Sequence, residues 1–266
     1  MKVITMAACF GTFGVALLVA HSAHAASLSL SIGVRETGNA GGLAISANGG
    51  STGGIEFVNR DGLTLTADGT WQRFVYTPLT DPLTAFAGTT ANAVLDEDWG
   101  VLEMIRIGND ADGATRYRLW IDDVTNTTSA GAVNFGDFEA AALNTEVIFQ
   151  EPRFSGSTSA NLQLTPNTSL VTNSMANTGS QSNQLDFAFV DDSPVSGVPS
   201  RWVRLTTFNT ASLPNPLVRL RESVVGGPPL ATTISFWAKA IVIPEAASII
   251  LLVAGAIGGT AVSRRR

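Results

Sequence analysis

The residues best suited to chemistry in this sequence lie in "ANAVLDEDWG", positions 91–100, where Trp99 follows Asp96, Glu97 and Asp98. An exposed indole face can hold a sugar ring while adjacent carboxylates bond its hydroxyls. Trp99, Asp96 and Asp98 are therefore the candidate ligand-binding set, in a stretch that reads as a loop. The competing reading is that a lone loop tryptophan folds back onto its own domain. Trp71, Trp120, Trp202 and Trp237 fall in strand-like stretches and are expected in the core or at its edge.

What the chain lacks narrows its chemistry further. His21, His24 and Cys9 are the only histidines and the only cysteine, and all three precede residue 26. A body without imidazole or thiol has no Ser-His-Asp or Cys-His nucleophile, no zinc, haem or iron-sulfur ligation of the usual kind, and no disulfide. No cofactor and no metal centre are expected. "NDADG", positions 109–113, begins like an EF-hand loop, yet the twelfth position counted from Asp110 is Ile121 rather than an acid, so it reads as an Asx turn. Two-carboxylate catalysis needs no histidine, but no pair of acids is set apart by its surroundings. The body is read as non-enzymatic, with a carboxylate-dependent polysaccharide hydrolase as the least favoured alternative.

Charge points the same way. Setting aside Lys2 and Arg264, Arg265 and Arg266 leaves 12 basic residues against 22 acidic ones, about −10, and among those twelve only Lys239 is a lysine. A surface of that sign disfavours nucleic acid.

The elements that must position these residues are strands. Positions 27–34 (SLSLSIGV), 71–76 (WQRFVY), 117–124 (YRLWIDDV), 185–190 (LDFAFV), 201–208 (RWVRLTTF) and 233–243 (TISFWAKAIVI) alternate in polarity or are rich in β-branched and aromatic residues. Clusters of Gly, Asn, Asp, Ser and Pro separate them. This predicts an all-β fold of one or two antiparallel β-sandwich modules. "TWQRFVYTPLTDPL" from position 70 and "RWVRLTTFNTASLPNPL" from position 201 are alike, each followed by a tryptophan-bearing strand. Two related modules, 27–128 and 131–243, are the expectation from that likeness. The uncharged stretch 154–185 reads either as disorder or as a polar hairpin around Pro166-Asn167, with a hydroxyl-rich glycan-facing surface as a third alternative.

Both ends are apolar. Lys2, the run 7–20 and Ala23-His24-Ala25 have the layout of a signal peptide over residues 1–25. At the other end, positions 246–263 carry no charge, and 18 residues of helix reach about 27 Å, enough to cross a bilayer. The terminal arginines then stay in the cytoplasm and the body lies on the far side.

Pro244-Glu245, the apolar run and Arg264, Arg265 and Arg266 together resemble the PEP-CTERM sorting signal of exported bacterial proteins, here covering 244–266. Ala246 stands where that motif usually has a second proline. The resemblance implies a transmembrane helix, an exosortase-type processing enzyme as partner, and delivery to the cell envelope or its exopolysaccharide. "VNFGDFEAAAL", from position 133, with "TWQRFVYT" and "YRLWIDDV", resembles strands of carbohydrate-binding-module and galactose-binding-like jelly rolls. That resemblance implies a jelly-roll-like fold, a polysaccharide as ligand, and a structural calcium shared by an opening-strand glutamate and a final-strand aspartate. Asp122 and Asp123 occupy the matching place in the first module, with Glu36 as their proposed partner. In the second module Glu139 faces Lys239, implying an ion pair instead.

Overall fold

The structure is a computed structural model that describes residues 26–36, 54–109, 115–191, 201–207 and 216–244. Along the described chain run β1 (Ser27–Glu36), β2 (Ile55–Thr66), β3 (Gln72–Tyr76), β4 (Leu83–Ala87), β5 (Trp99–Asn109), β6 (Arg116–Thr128) and β7 (Gly131–Gly136). They are followed by β8 (Leu162–Thr172), β9 (Ser182–Phe189), β10 (Trp202–Thr206), β11 (Leu217–Arg219), β12 (Arg221–Glu222), β13 (Leu230–Ala231) and β14 (Thr233–Val242). A single 3-10 turn, Ser159–Asn161, is the one helical element among the described residues.

Two six-stranded sheets form, and every strand pair in them is antiparallel. Sheet A has the order β10-β5-β1-β2-β4, with β11 also against β5. Sheet B has the order β3-β14-β6-β9-β8, with β7 also against β6. Alternation is the cause of the layering. Leu28, Leu30, Ile32 and Val34 of β1 all face inward and are fully buried, as are Tyr117, Leu119 and Ile121 of β6 and Ile234, Phe236, Ala238 and Ala240 of β14. Phe74 stacks on Phe236 at 5.5 Å between centroids, and the Tyr76 hydroxyl crosses from sheet B to donate to the Leu30 carbonyl at 2.6 Å. Such a bond satisfies a phenol that would otherwise be buried without a partner.

All six sequence-predicted strands are present, and they meet in one core that draws on residues from Leu28 to Ala240. The expected module boundary falls at the β6–β7 hairpin, and strands from both sides of it enter each sheet. The two similar tryptophan stretches occupy unlike places, β3 at the edge of sheet B and β10 at the edge of sheet A. Residues 162–172 form one strand paired with β9, interrupted between Leu162 and Asn167, rather than the hairpin expected around Pro166. Residues 246–263 lie outside the described residues, among which no helix is long and apolar enough to cross a membrane.

One irregularity re-aims a side chain. In the β1–β5 ladder Gly33 faces Met104 while Val34 faces Leu102, so Glu103 is an extra residue and joins Met104 on the outer face of sheet A.

Candidate functional site

Trp99 opens β5, and the connection that precedes it is clamped from both sides. Glu36 and Glu56 occupy inward positions at the ends of β1 and β2, where the apolar alternation runs out. The Glu36 carboxylate accepts the backbone N–H of Asp96 at 2.7 Å and of Glu97 at 2.9 Å. Glu56 accepts the backbone N–H of Asn92 at 3.2 Å and is almost wholly buried, with its second oxygen unpartnered. From the other side Arg221 donates to the carbonyls of Leu95 and Asp96. Burial is the main reason both glutamates hold their protons more tightly than usual; for Glu56 the pKa is pushed up to about 7, with Glu36 and Asp96 adding like charge.

Asp98 works as a staple. Its carboxylate pairs with Arg219 and Arg221, each at 3.1 Å, and also accepts the backbone N–H and hydroxyl of Ser223. Although burial alone would raise its pKa, the Ser223 and arginine bonds outweigh it and hold the carboxyl below the usual range. The Arg219 guanidinium also lies over the Trp99 ring, 4.6 Å from its centroid. One face of the indole is thus occupied by the protein itself. Asp96 stays exposed and accepts from the Asn92 side-chain amide at 2.7 Å. The structure does bring Trp99, Asp96 and Asp98 together, with Asp98 and one Trp99 face engaged in holding β11 and β12.

The second acidic group organises a different loop. Asp122 and Asp123 lie at a bulge of β6, with Asp123 in the left-handed region at φ 54°. Asp122, fully buried, accepts the backbone N–H of Asn177 and Thr178; Asp123 accepts the Asn177 and Asn134 amides and the Thr178 hydroxyl. Glu139 accepts the backbone N–H of Ser180 and Gln181, which holds its carboxyl below the usual range. Three acids therefore pin the connection between β8 and β9. For Asp122 burial dominates and the pKa rises to about 6.

The expected partnerships around these acids differ from those observed. Glu36 bonds the loop before Trp99, whereas Asp122 bonds Asn177 and Thr178. Lys239 makes no ion pair with Glu139; its ammonium donates to the Met175 sulfur at 3.4 Å and lies 5.8 Å from the Trp120 ring centroid. No group of three acidic residues among the described ones is arranged to hold a metal ion. Of the EF-hand-like stretch, residues 110–113 lie outside the described residues, as do Glu245, Arg264, Arg265 and Arg266.

None of the four tryptophans expected in the core or at its edge belongs to the main core cluster, although Trp120 is almost wholly buried and Trp71 lies just before β3. Trp202 lies on the outer face of sheet A among Phe57, Phe86 and Met104, and Trp120 and Trp237 lie on the outer face of sheet B. A place at the core's edge holds for Trp120, which is buried, and for Trp202, which packs on Ile55, Phe57 and Met104, while β6, β10 and β14 turn their other apolar residues inward. In β14 the inward residues beside Trp237 are Phe236 and Ala238.

Sequence reasoning missed Glu56 and gave Glu36 a different partner. Glu36 was legible in principle, since it continues the Leu28, Leu30, Ile32, Val34 alternation. Comparison with protein-family models, with curated proteins and with solved structures returns no match for this chain.

Proposed function

We propose that this chain is an exported, non-enzymatic protein of the cell envelope or extracellular matrix, sorted by its PEP-CTERM-like C-terminus and associated with exopolysaccharide. The observation that carries the reading is the tripartite end: Pro244-Glu245, an uncharged run over 246–263, and three arginines. A signal peptide over residues 1–25 supplies the export step, an exosortase-type enzyme is the processing partner, and the C-terminal helix holds the chain in the inner membrane until then.

Hydrogen bonds near both ends of the described body support this reading. The Ala26 carbonyl accepts the Ala67 N–H at 2.8 Å, one residue past the expected cleavage site. At the far end the Ile243 N–H donates to the Arg116 carbonyl at 2.9 Å, and Pro244, next in line, has no N–H to give. The described hydrogen bonds of both ladders thus reach Ala26 and Ile243, next to the two expected processing points.

The test is fractionation of a bacterium that carries the sorting enzyme. The wild-type chain is expected in the outer envelope or the medium, and a Pro244→Ala, Glu245→Ala double variant is expected to accumulate in the inner membrane. Identical distribution of the two would remove the sorting signal from the account.

A further inference from the structure

The outer face of sheet B gathers charged side chains around a tryptophan. Trp237, half-buried on β14, has Arg73 of β3 as its cross-strand partner on one side and Asp122 of β6 on the other. Lys239, two residues along the same strand and so on the same face, stands opposite Trp120. Trp120 is held flat in its row by donating its ring N–H to Gln184 at 3.1 Å.

Charge on this face is unbalanced in a telling way. Arg116 and Arg118 are matched to Asp186, at 3.8 and 3.1 Å. Asp122 is turned into the backbone of Asn177 and Thr178, and Asp123 into the Asn177, Asn134 and Thr178 side chains. Among the described residues neither Arg73 nor Lys239 forms an ion pair, and Arg73 is exposed. A chain whose body carries about −10 thus places two cations beside a tryptophan, Arg73 across from it on β3 and Lys239 two residues along β14, neither with a carboxylate partner among the described residues.

We propose that this face binds an acidic polysaccharide, with a sugar ring against Trp237 and its carboxylate taken by Arg73 and Lys239. The inference rests on the envelope and exopolysaccharide reading above and names the ligand class. An indole offers an apolar plane to the C–H face of a pyranose. Arginine meets a carboxylate with two parallel N–H donors, and lysine adds a point charge from further along the strand. Residues two apart on a strand are about 7 Å apart and neighbouring strands about 4.8 Å, so both cations lie within side-chain reach of a group seated over the indole. The partner's sign follows from complementarity: a polyanion is drawn to this face and repelled by the rest of the surface, which fixes its orientation.

The full chain in mild non-ionic detergent, titrated with polygalacturonate, tests this. Dextran serves as the neutral glycan and phosphatidylglycerol vesicles as the competing anionic surface. Binding to polygalacturonate is expected to weaken as salt rises and to fall roughly tenfold or more in Arg73→Ala, Lys239→Ala, with melting temperature unchanged. Trp237→Phe, which keeps an aromatic plane, is expected to retain more affinity than Trp237→Ala. Equal binding by the double variant, equal binding of dextran, or binding of vesicles without polygalacturonate would each overturn the assignment. The fractionation experiment has a separate readout, so failure of sorting and failure of glycan binding are told apart.

Discussion

The two outer sheet faces use the same kinds of residue for opposite ends. On sheet A, Glu103 is fully buried between Arg35 and Arg204, with Arg35 donating at 3.2 Å. The guanidinium of Arg204 lies over Phe86 and that of Arg106 over Trp202, each 5.5 Å from the ring centroid. Phe57, Phe86 and Trp202 pack on one another at 4.8 to 5.9 Å. Charges and rings there are consumed by each other. On sheet B, Arg73 and Lys239 lie beside Trp237 with no counter-ion among the described residues. The difference teaches that an arginine beside a tryptophan signals recognition only where no carboxylate has been built in to answer it.

The sharpest way to break that contrast is at Glu103. Glu103→Ala leaves two largely buried guanidiniums without their anion, and is expected to cost about 3–5 kcal/mol, read as a large fall in melting temperature. A loss below about 1 kcal/mol would mean that sheet A's outer face is as loosely held as sheet B's. Next comes Asp98→Ala, which frees Arg219, Arg221 and Ser223 at once. A loss of about 1.5–3 kcal/mol is expected in chemical denaturation, together with a change in Trp99 fluorescence as the guanidinium over the ring is released.

A third test uses pH. The folded pKa of Glu56 is raised from 4.5 to about 7, so its stabilising contribution is full below about 4.5 and is lost as pH rises through 7. Asp122, raised to about 6, acts in the same direction. Asp98 and Glu139, both lowered, act oppositely and only in acid, where stability falls as they take up protons. Melting temperature is therefore expected to drop as pH rises from about 4.5 to 7 and to level off above that, and Glu56→Gln to flatten that slope while stabilising the protein at pH 8. An unchanged slope would remove Glu56 from the explanation. The smallest effect is expected at Arg73→Ala, within about 0.5 kcal/mol of wild type, because an exposed side chain without a partner has little to lose.

How much was legible beforehand depended on whether local pattern or long-range pairing decided the outcome. The strands with clean alternation, such as "SLSLSIGV" and "YRLWIDDV", appear as β1 and β6. By contrast, β5 was missed because "VLEMIRI" is buried on both sides of the sheet and bulged at Glu103, so it has no period of two. β2 was missed because its register slips between Val58 and Leu63, where Asn59 and Gly62 take positive φ and a Cβ on Gly62 would press on the Leu30 carbonyl at 2.9 Å. The acids Asp96 and Asp98 were found by composition. That Asp98 would be answered by Arg219 and Arg221, more than 120 positions away, depends on the closing of the sandwich, which no local window contains.

The account rests most heavily on where the molecule goes and what it sheds on the way. Intact-mass measurement of the protein recovered from the envelope and from the medium tests this directly. The account predicts a chain that begins at Ala26 and has lost its hydrophobic C-terminal run. A full-length product, soluble in the cytoplasm, would contradict it.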